Sequence, residues 1–130
     1  MEEDEVGRRV VDVAVRIHRE LGSGLLEVVY EVILAHELRR AGLQVQRQLP
    51  VSIAYKGIKF DEGFRLDLLV ENKVIIELKC VEALNSAHKK QVLTYLRLSD
   101  KRLGYLLNFS AAVMKDGIVR IVNGLSESST

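Results

Sequence analysis

The sequence is short of the devices that would pin a small chain from outside its core. One cysteine, Cys80, in 130 residues excludes an internal disulfide. It sits in an apolar strand pattern and reads as a core filler rather than a nucleophile. No apolar run approaches the roughly 18 residues of a membrane-spanning helix. The N-terminus, Met1-Glu2-Glu3-Asp4-Glu5, is acidic and lacks the basic start of a secretory signal, so a cytoplasmic location is expected. Charge of one sign is missing too. With 19 basic and 18 acidic residues the net charge is +1, without the bulk basic signature that many nucleic-acid binders carry. What remains are local clusters: Arg8, Arg9 and Arg16, then Lys89 and Lys90, then Lys101 and Arg102. Each reads first as a solvated face. His18 and His36 have no acidic or cysteine partners at zinc-site spacing. No phosphate-binding loop, dinucleotide fingerprint, serine elbow or paired-cysteine motif occurs.

What is present suits a single globular domain over residues 1–130, with 1–5 and 125–130 as fraying tails. Hydrophobic residues make up 48% and charged ones 28%, enough for one core. Val6, Val10, Val13, Ala14, Ile17 and Leu21 recur with helical periodicity, and Gly22-Ser23-Gly24 breaks it. Leu25 to Ala41 predicts a second helix closed by Gly42. Leu43 to Tyr55 alternates like a strand, with Pro50 implying an edge or a bulge. Lys56-Gly57 reads as a turn into Ile58-Lys59-Phe60, and Asp61-Glu62-Gly63 as a second break. Phe64 to Val70 and Val74 to Val81 predict strands around the turn Glu71-Asn72-Lys73. Ser86 to Leu98 predicts a helix capped by Asn85 or Ser86. Leu103 to Phe109 and Gly117 to Val122 complete the order α-α-β-β-β-β-α-β-β, an α+β or mixed α/β domain.

The informative stretch is the central hairpin. Asp67 interrupts one face of a strong aliphatic strand, and Glu77 and Lys79 share a face of the next. If Glu71-Asn72-Lys73 is a three-residue loop, Val70 faces Val74 and Asp67 falls opposite Glu77, with Cβ atoms about 4.5–5.5 Å apart. A two-residue loop would instead send the acids to opposite faces. Two opposed carboxylates repel, and burial raises that cost unless positive charge sits between them. A divalent cation meets the need. Mg²⁺ accepts one or two carboxylates together with waters and phosphate oxygens, and the backbone carbonyl of Leu78 adds a further ligand. Lys79 then orients or deprotonates an attacking water, or offsets charge developing on phosphorus oxygens. The alternative on spacing alone is a buried carboxylate cluster neutralised by lysine.

At these residues the chain resembles the PD-(D/E)XK nuclease superfamily, whose pattern is an acid on one strand and Glu-x-Lys on the next, here Asp67 followed by Glu77-Leu78-Lys79. Gly24-Leu25-Leu26-Glu27-Val28-Val29-Tyr30 resembles the signature of the GxxExxY family within it. Gly57, Gly63-Phe64-Arg65-Leu66-Asp67 and Gln91-Val92-Leu93-Thr94-Tyr95-Leu96 are similar as well. Leu66 stands where the superfamily's proline would be. The resemblance implies a restriction-endonuclease-like core, a four-stranded mixed β-sheet flanked by helices, with an added N-terminal helix and β-hairpin. It implies a Mg²⁺-dependent nuclease acting on DNA, with Mn²⁺ able to substitute. Asp67, Glu77 and the Leu78 carbonyl would hold the metal, Glu27 would touch it through water, and Lys79 would be the catalytic lysine. Gln91 and Tyr95 match a Gln-x-x-x-Tyr helix motif that lines such sites. Tyr30 shares a helix face with Glu27, and His88 shares one with Gln91, so both join as substrate-positioning residues. A homodimer suits so small a nuclease, since a duplex has two strands to cut. The second reading is a nucleic-acid or protein binding module that keeps the fold without cutting.

Overall fold

A computed structural model describes residues 1–125. Helix α1 (Glu3–Leu21) carries Glu3, Asp4 and Glu5 in its first turn and His18 and Arg19 in its last, which suits the helix dipole at both ends. Residues 3–5, expected to fray, therefore belong to the first helical turn. Val6, Val10, Val13, Ala14 and Ile17 form its buried stripe. Helix α2 (Glu27–Arg40) buries Tyr30, Glu31, Leu34, Ala35 and Leu38. It stops at Gly42, whose φ of 91° lets Leu43 return its N–H to Leu38 O at 3.1 Å.

Strands β1 (Val45–Tyr55) and β2 (Ile58–Val70) form a long antiparallel hairpin. Its two-residue turn, Lys56-Gly57, has positive φ at both positions, 47° and 85°, the conformation that matches strand twist. β2 turns antiparallel into β3 (Val74–Lys79). The chain then crosses through α3 (Ser86–Ser99) to β4 (Leu103–Asn108), which runs parallel to β3. A 3₁₀ turn at Met114–Gly117 leads into β5 (Ile118–Val122), antiparallel to β4. The result is a five-stranded mixed sheet in the order β1-β2-β3-β4-β5, the α+β architecture that was expected, with β1 as the fifth strand. Helices α1 and α2 cover one face around Leu68, Ile76, Leu78 and Leu107. α3 covers the other around Ile75, Val92, Leu96 and Leu106. Among the described residues no helix is long and apolar enough to cross a membrane.

Two local expectations are refined. Pro50 lies on the edge strand, a position that tolerates a residue without an N–H, and a bulge follows between Val51 and Ile53. Asp61-Glu62-Gly63 does not break the chain into two strands. It is the long side of that bulge, since Val51 pairs with Phe64 and Ile53 with Phe60. Ile53 packs over Gly63, where a Cβ would stand 2.2 Å from Ile53 Cδ1 and push that side-chain end aside.

The hairpin also changes face halfway along. In a regular strand, residues two apart point the same way. Leu68 and Val70 do so, into the α1/α2 core, yet Leu66 and Phe64 pack with α3 on the other side. On β1, Val45 joins the first core, while Leu49 and Val51 join the second. The crossover falls at Gln48 and Asp67, between the pairs Arg47↔Leu68 and Leu49↔Leu66. Gln48 sits at φ 51°, a left-handed value uncommon for residues with a side chain.

Candidate active site

The loop 71–73 has three residues. Glu71 and Asn72 take φ of 54° each, Lys73 N–H donates to Val70 O at 3.0 Å, and Val70 pairs with Val74. This register brings Asp67 opposite Glu77. The backbone ladder between β2 and β3 covers only Leu68↔Ile76 to Val70↔Val74. Beyond it the strands fork, and carboxylates replace the ladder. Asp67 N–H donates to Glu77 Oε1 at 3.0 Å, and Leu78 N–H donates to Asp67 Oδ2 at 2.9 Å. The N–H and C=O of a strand residue lie on the same edge, so the Leu78 carbonyl opens into the fork too.

Glu77 is only 5% exposed. Burial, and then the charge of Asp67, pushes its carboxyl up to about 9. Burial also raises Asp67, opposed by the hydrogen bond from the Leu78 amide. Lys79 lowers both, as a nearby cation must. The pair thus holds a proton at neutral pH in place of a second negative charge. Lys79 is half-buried at the end of β3. Just past it Asn108, itself 4% exposed, clamps Val81 by accepting from Val81 N–H at 3.1 Å and donating to Val81 O at 2.9 Å.

The first turn of α2 overlooks the fork. Glu27 is raised by burial first and by Asp67 second, opposed by Lys79 and by the Cys80 backbone amide. Glu31, one turn further, was not singled out from the sequence, although its i+4 spacing from Glu27 puts it on the same helix face. It is 4% exposed and forms an ion pair with Arg47 at 3.0 Å. Gln48 Nε2 donates to Glu31 Oε1 at 2.9 Å and stands 3.5 Å from Asp67 Oδ1. No sequence signal marks Gln48, whose place depends on the left-handed kink.

The other sequence candidates divide. Tyr95 comes to the site: it is buried, stacks on Phe64 at 4.0 Å, and its hydroxyl is raised by burial and then by Glu77 and Asp67. Gln91 lies exposed one turn earlier on α3. His88 instead completes the capping box of α3. Its Nδ1 accepts from Asn85 N–H at 3.2 Å, and its own N–H donates to Asn85 Oδ1 at 3.0 Å. That engages one ring nitrogen of His88 in the helix cap. Tyr30 turns inward. It is fully buried, stacked on Phe109 at 4.4 Å, and its hydroxyl donates to Gly22 O and accepts from Leu25 N–H at 3.2 Å. The tyrosine of the Gly24-x-x-Glu27-x-x-Tyr30 motif thus holds the glycine loop that starts α2 and sets Glu27's position. Tyr30→Phe is expected to lower stability by about 1–3 kcal/mol, because the Gly22 and Leu25 groups lose their partner. A thermal melt checks this. Cys80 is half-buried, with its thiol raised by burial, the opposite of an activated nucleophile.

Members of two of the basic clusters are engaged locally. Arg9 donates to Ala41 O at 2.6 Å, Arg16 lies 3.8 Å from Glu37, and Arg102 donates to Gly124 O at 3.1 Å.

The donor set at the fork fits a hard divalent cation. Two carboxylates and a carbonyl are oxygen ligands of the kind Mg²⁺ takes, and a buried carboxyl pushed up to about 9 even beside Lys79 leaves a place for further positive charge. Among the described residues no three His, Cys, Asp or Glu side chains gather closely enough to hold an ion. The chain therefore offers two carboxylates and leaves the remaining positions to water and substrate.

A mixed sheet with opposed acids and a lysine at a fork between two strands is the framework of a restriction-endonuclease-like domain. The family model for the PD-(D/E)XK nuclease superfamily matches residues 4–121, and the chain belongs to that superfamily. The crystal structure of SSO0001 is similar with a TM-score of 0.56 and 20% identity, covering 92% of this chain and 69% of that one, a likeness of fold. No curated protein matches.

Proposed function

We propose that this chain is a Mg²⁺-dependent nuclease that hydrolyses phosphodiester bonds in DNA, of the GxxExxY type within its superfamily. The observation that carries the proposal is the buried, opposed pair Asp67 and Glu77 with Lys79 two residues beyond. Asp67, Glu77 and the Leu78 carbonyl would hold the ion, with Glu27 reaching it through water. Bound Mg²⁺, or Mn²⁺ in its place, supplies Lewis-acid polarisation of a phosphoryl oxygen and a more acidic water. The chain's own groups do the rest. Asp67 and Glu77 orient that centre, each fixed by a backbone amide. Lys79 aligns the attacking water or offsets charge gathering on the phosphoryl oxygens. Tyr95, held by Phe64, and Gln91 position the strand. On this reading the protein works in the cytoplasm on nucleic acid, and a homodimer would present one fork to each strand of a duplex.

The test is a cleavage assay with Mg²⁺ or Mn²⁺ on labelled single-stranded, duplex and branched DNA and on RNA. Cleavage of DNA that stops on chelation is expected. Cleavage that is unchanged in EDTA, or restricted to RNA, contradicts the proposal.

One observation favours the second reading, a binding module that does not cut. Both carboxylates already accept backbone N–H groups, and among the described residues no third acid closes on them. Calorimetric titration with Mg²⁺ separates the two. An active site binds the ion and loses it in Glu77→Ala, whereas a retired one gives no heat in either protein.

A further inference from the structure

We propose that Arg47 is a phosphate-binding residue, preset by Glu31, that holds a backbone phosphate of the substrate beside the reacting one. The inference rests on the nuclease reading above and extends it to residues outside the acid-acid-lysine set.

Glu31 is a buried carboxylate at 4% exposure, and its oxygens are divided between two donors. Oε2 takes Arg47 Nε at 3.2 Å and Nη2 at 3.0 Å, and Oε1 takes Gln48 Nε2 at 2.9 Å. The guanidinium is therefore locked by one edge. Its side chain remains one-third exposed, and among the described residues Nη1 makes no hydrogen bond. A planar fork held on one edge with the other edge in solvent is suited to bidentate or single contact with a phosphate. The same Gln48 amide lies 3.5 Å from Asp67 Oδ1. Arg47 is thus linked to the fork through one carboxylate and one amide, a place suited to the phosphate next to one bound at Asp67.

Charge balance points the same way. Glu27, Glu31, Asp67 and Glu77 put four carboxyl groups around a site meant for a polyanion, and Lys79 is the cation beside them in the fork. Arg47 cancels Glu31 and presents positive charge outward. The left-handed kink at Gln48 makes this possible, since it carries Gln48 toward Asp67 while Arg47 stays on Glu31.

The test is fluorescence anisotropy of a labelled DNA duplex in EDTA, which prevents cleavage, over a range of KCl concentrations. Each phosphate neutralised contributes about −0.9 to the slope of log K against log salt on duplex DNA. Arg47→Gln is expected to make that slope shallower by about 0.9. The double variant Glu31→Gln/Arg47→Gln avoids leaving a buried charge alone and keeps the net charge unchanged. It is expected to show the same loss, while Glu31→Gln alone keeps the parent slope. If the double variant melts cooperatively and keeps the parent slope, Arg47 is a structural partner of Glu31 and the inference fails. If the parent itself binds neither DNA nor RNA with any salt dependence, the nuclease reading falls and this inference with it.

Discussion

Lys79→Ala is expected to lose roughly 10²–10³ in kcat, the scale of removing one preorganised charge-stabilising donor, while still binding Mg²⁺ in calorimetry. The lysine lies at the mouth of the fork, where it lowers the charge cost of Glu27, Asp67 and Glu77 without closing an ion pair among the described residues. Asp67→Asn makes a sharper companion. The amide oxygen still accepts the Leu78 N–H, so the strand end stays in place. The amide also removes the desolvation cost of a half-buried carboxylate. The variant should therefore be inactive and at least as stable as the parent near neutral pH. An Asp67→Asn protein that cleaves normally would remove Asp67 from the chemistry. One that is inactive because it is unfolded would make its role structural.

The second large effect is on stability against pH. Glu77 carries a folded-state pKa of about 9 against an ordinary 4.5. The unfolded chain releases that proton near 4.5, whereas the folded chain keeps it until about 9. Between those values the folded state binds more protons, so stability falls as pH rises. The contribution is fully present below 4.5 and is lost as pH climbs through about 9, the reverse of ordinary acid denaturation. Over that window the metal-free protein should lose on the order of a few kcal/mol, since a proton held more tightly by the folded chain is worth about 1.36 kcal/mol per pH unit. Its melting temperature should drop on the order of 10 °C for a domain of this size. Glu77→Gln should flatten the profile, and saturating Mg²⁺ should restore the parent at about pH 8, because a cation replaces the proton between the acids. Melting curves from about pH 5 to 9, with EDTA and with Mg²⁺, read this directly. A parent profile identical to that of Glu77→Gln would mean the two carboxyls do not share a buried site.

Local chemistry made much of this protein readable from its residues in order. The acid-rich start and apolar stripe of α1, Gly42 after α2, Lys56-Gly57 between β1 and β2, and Asn85 before α3 each act within a few residues of themselves. The opposition of Asp67 and Glu77 was legible for the same reason, because a three-residue loop transmits its register along a hairpin without outside help. For Tyr30 and His88 helical spacing gives a shared face but not what that face meets. One ring met Phe109 and the Gly22 loop, and the other met its own helix cap.

By itself the sequence determined the elements, the hairpin register and therefore the facing acids, all consequences of short-range backbone geometry. Only the tertiary structure decided that β2 and β3 fork where the acids begin, that α2 brings Glu27 and Glu31 over them, and that the β1–β2 hairpin changes face at Gln48 and Asp67. Those depend on contacts between residues far apart in the chain, where burial rather than spacing sets the charge of a carboxyl and the company of an arginine.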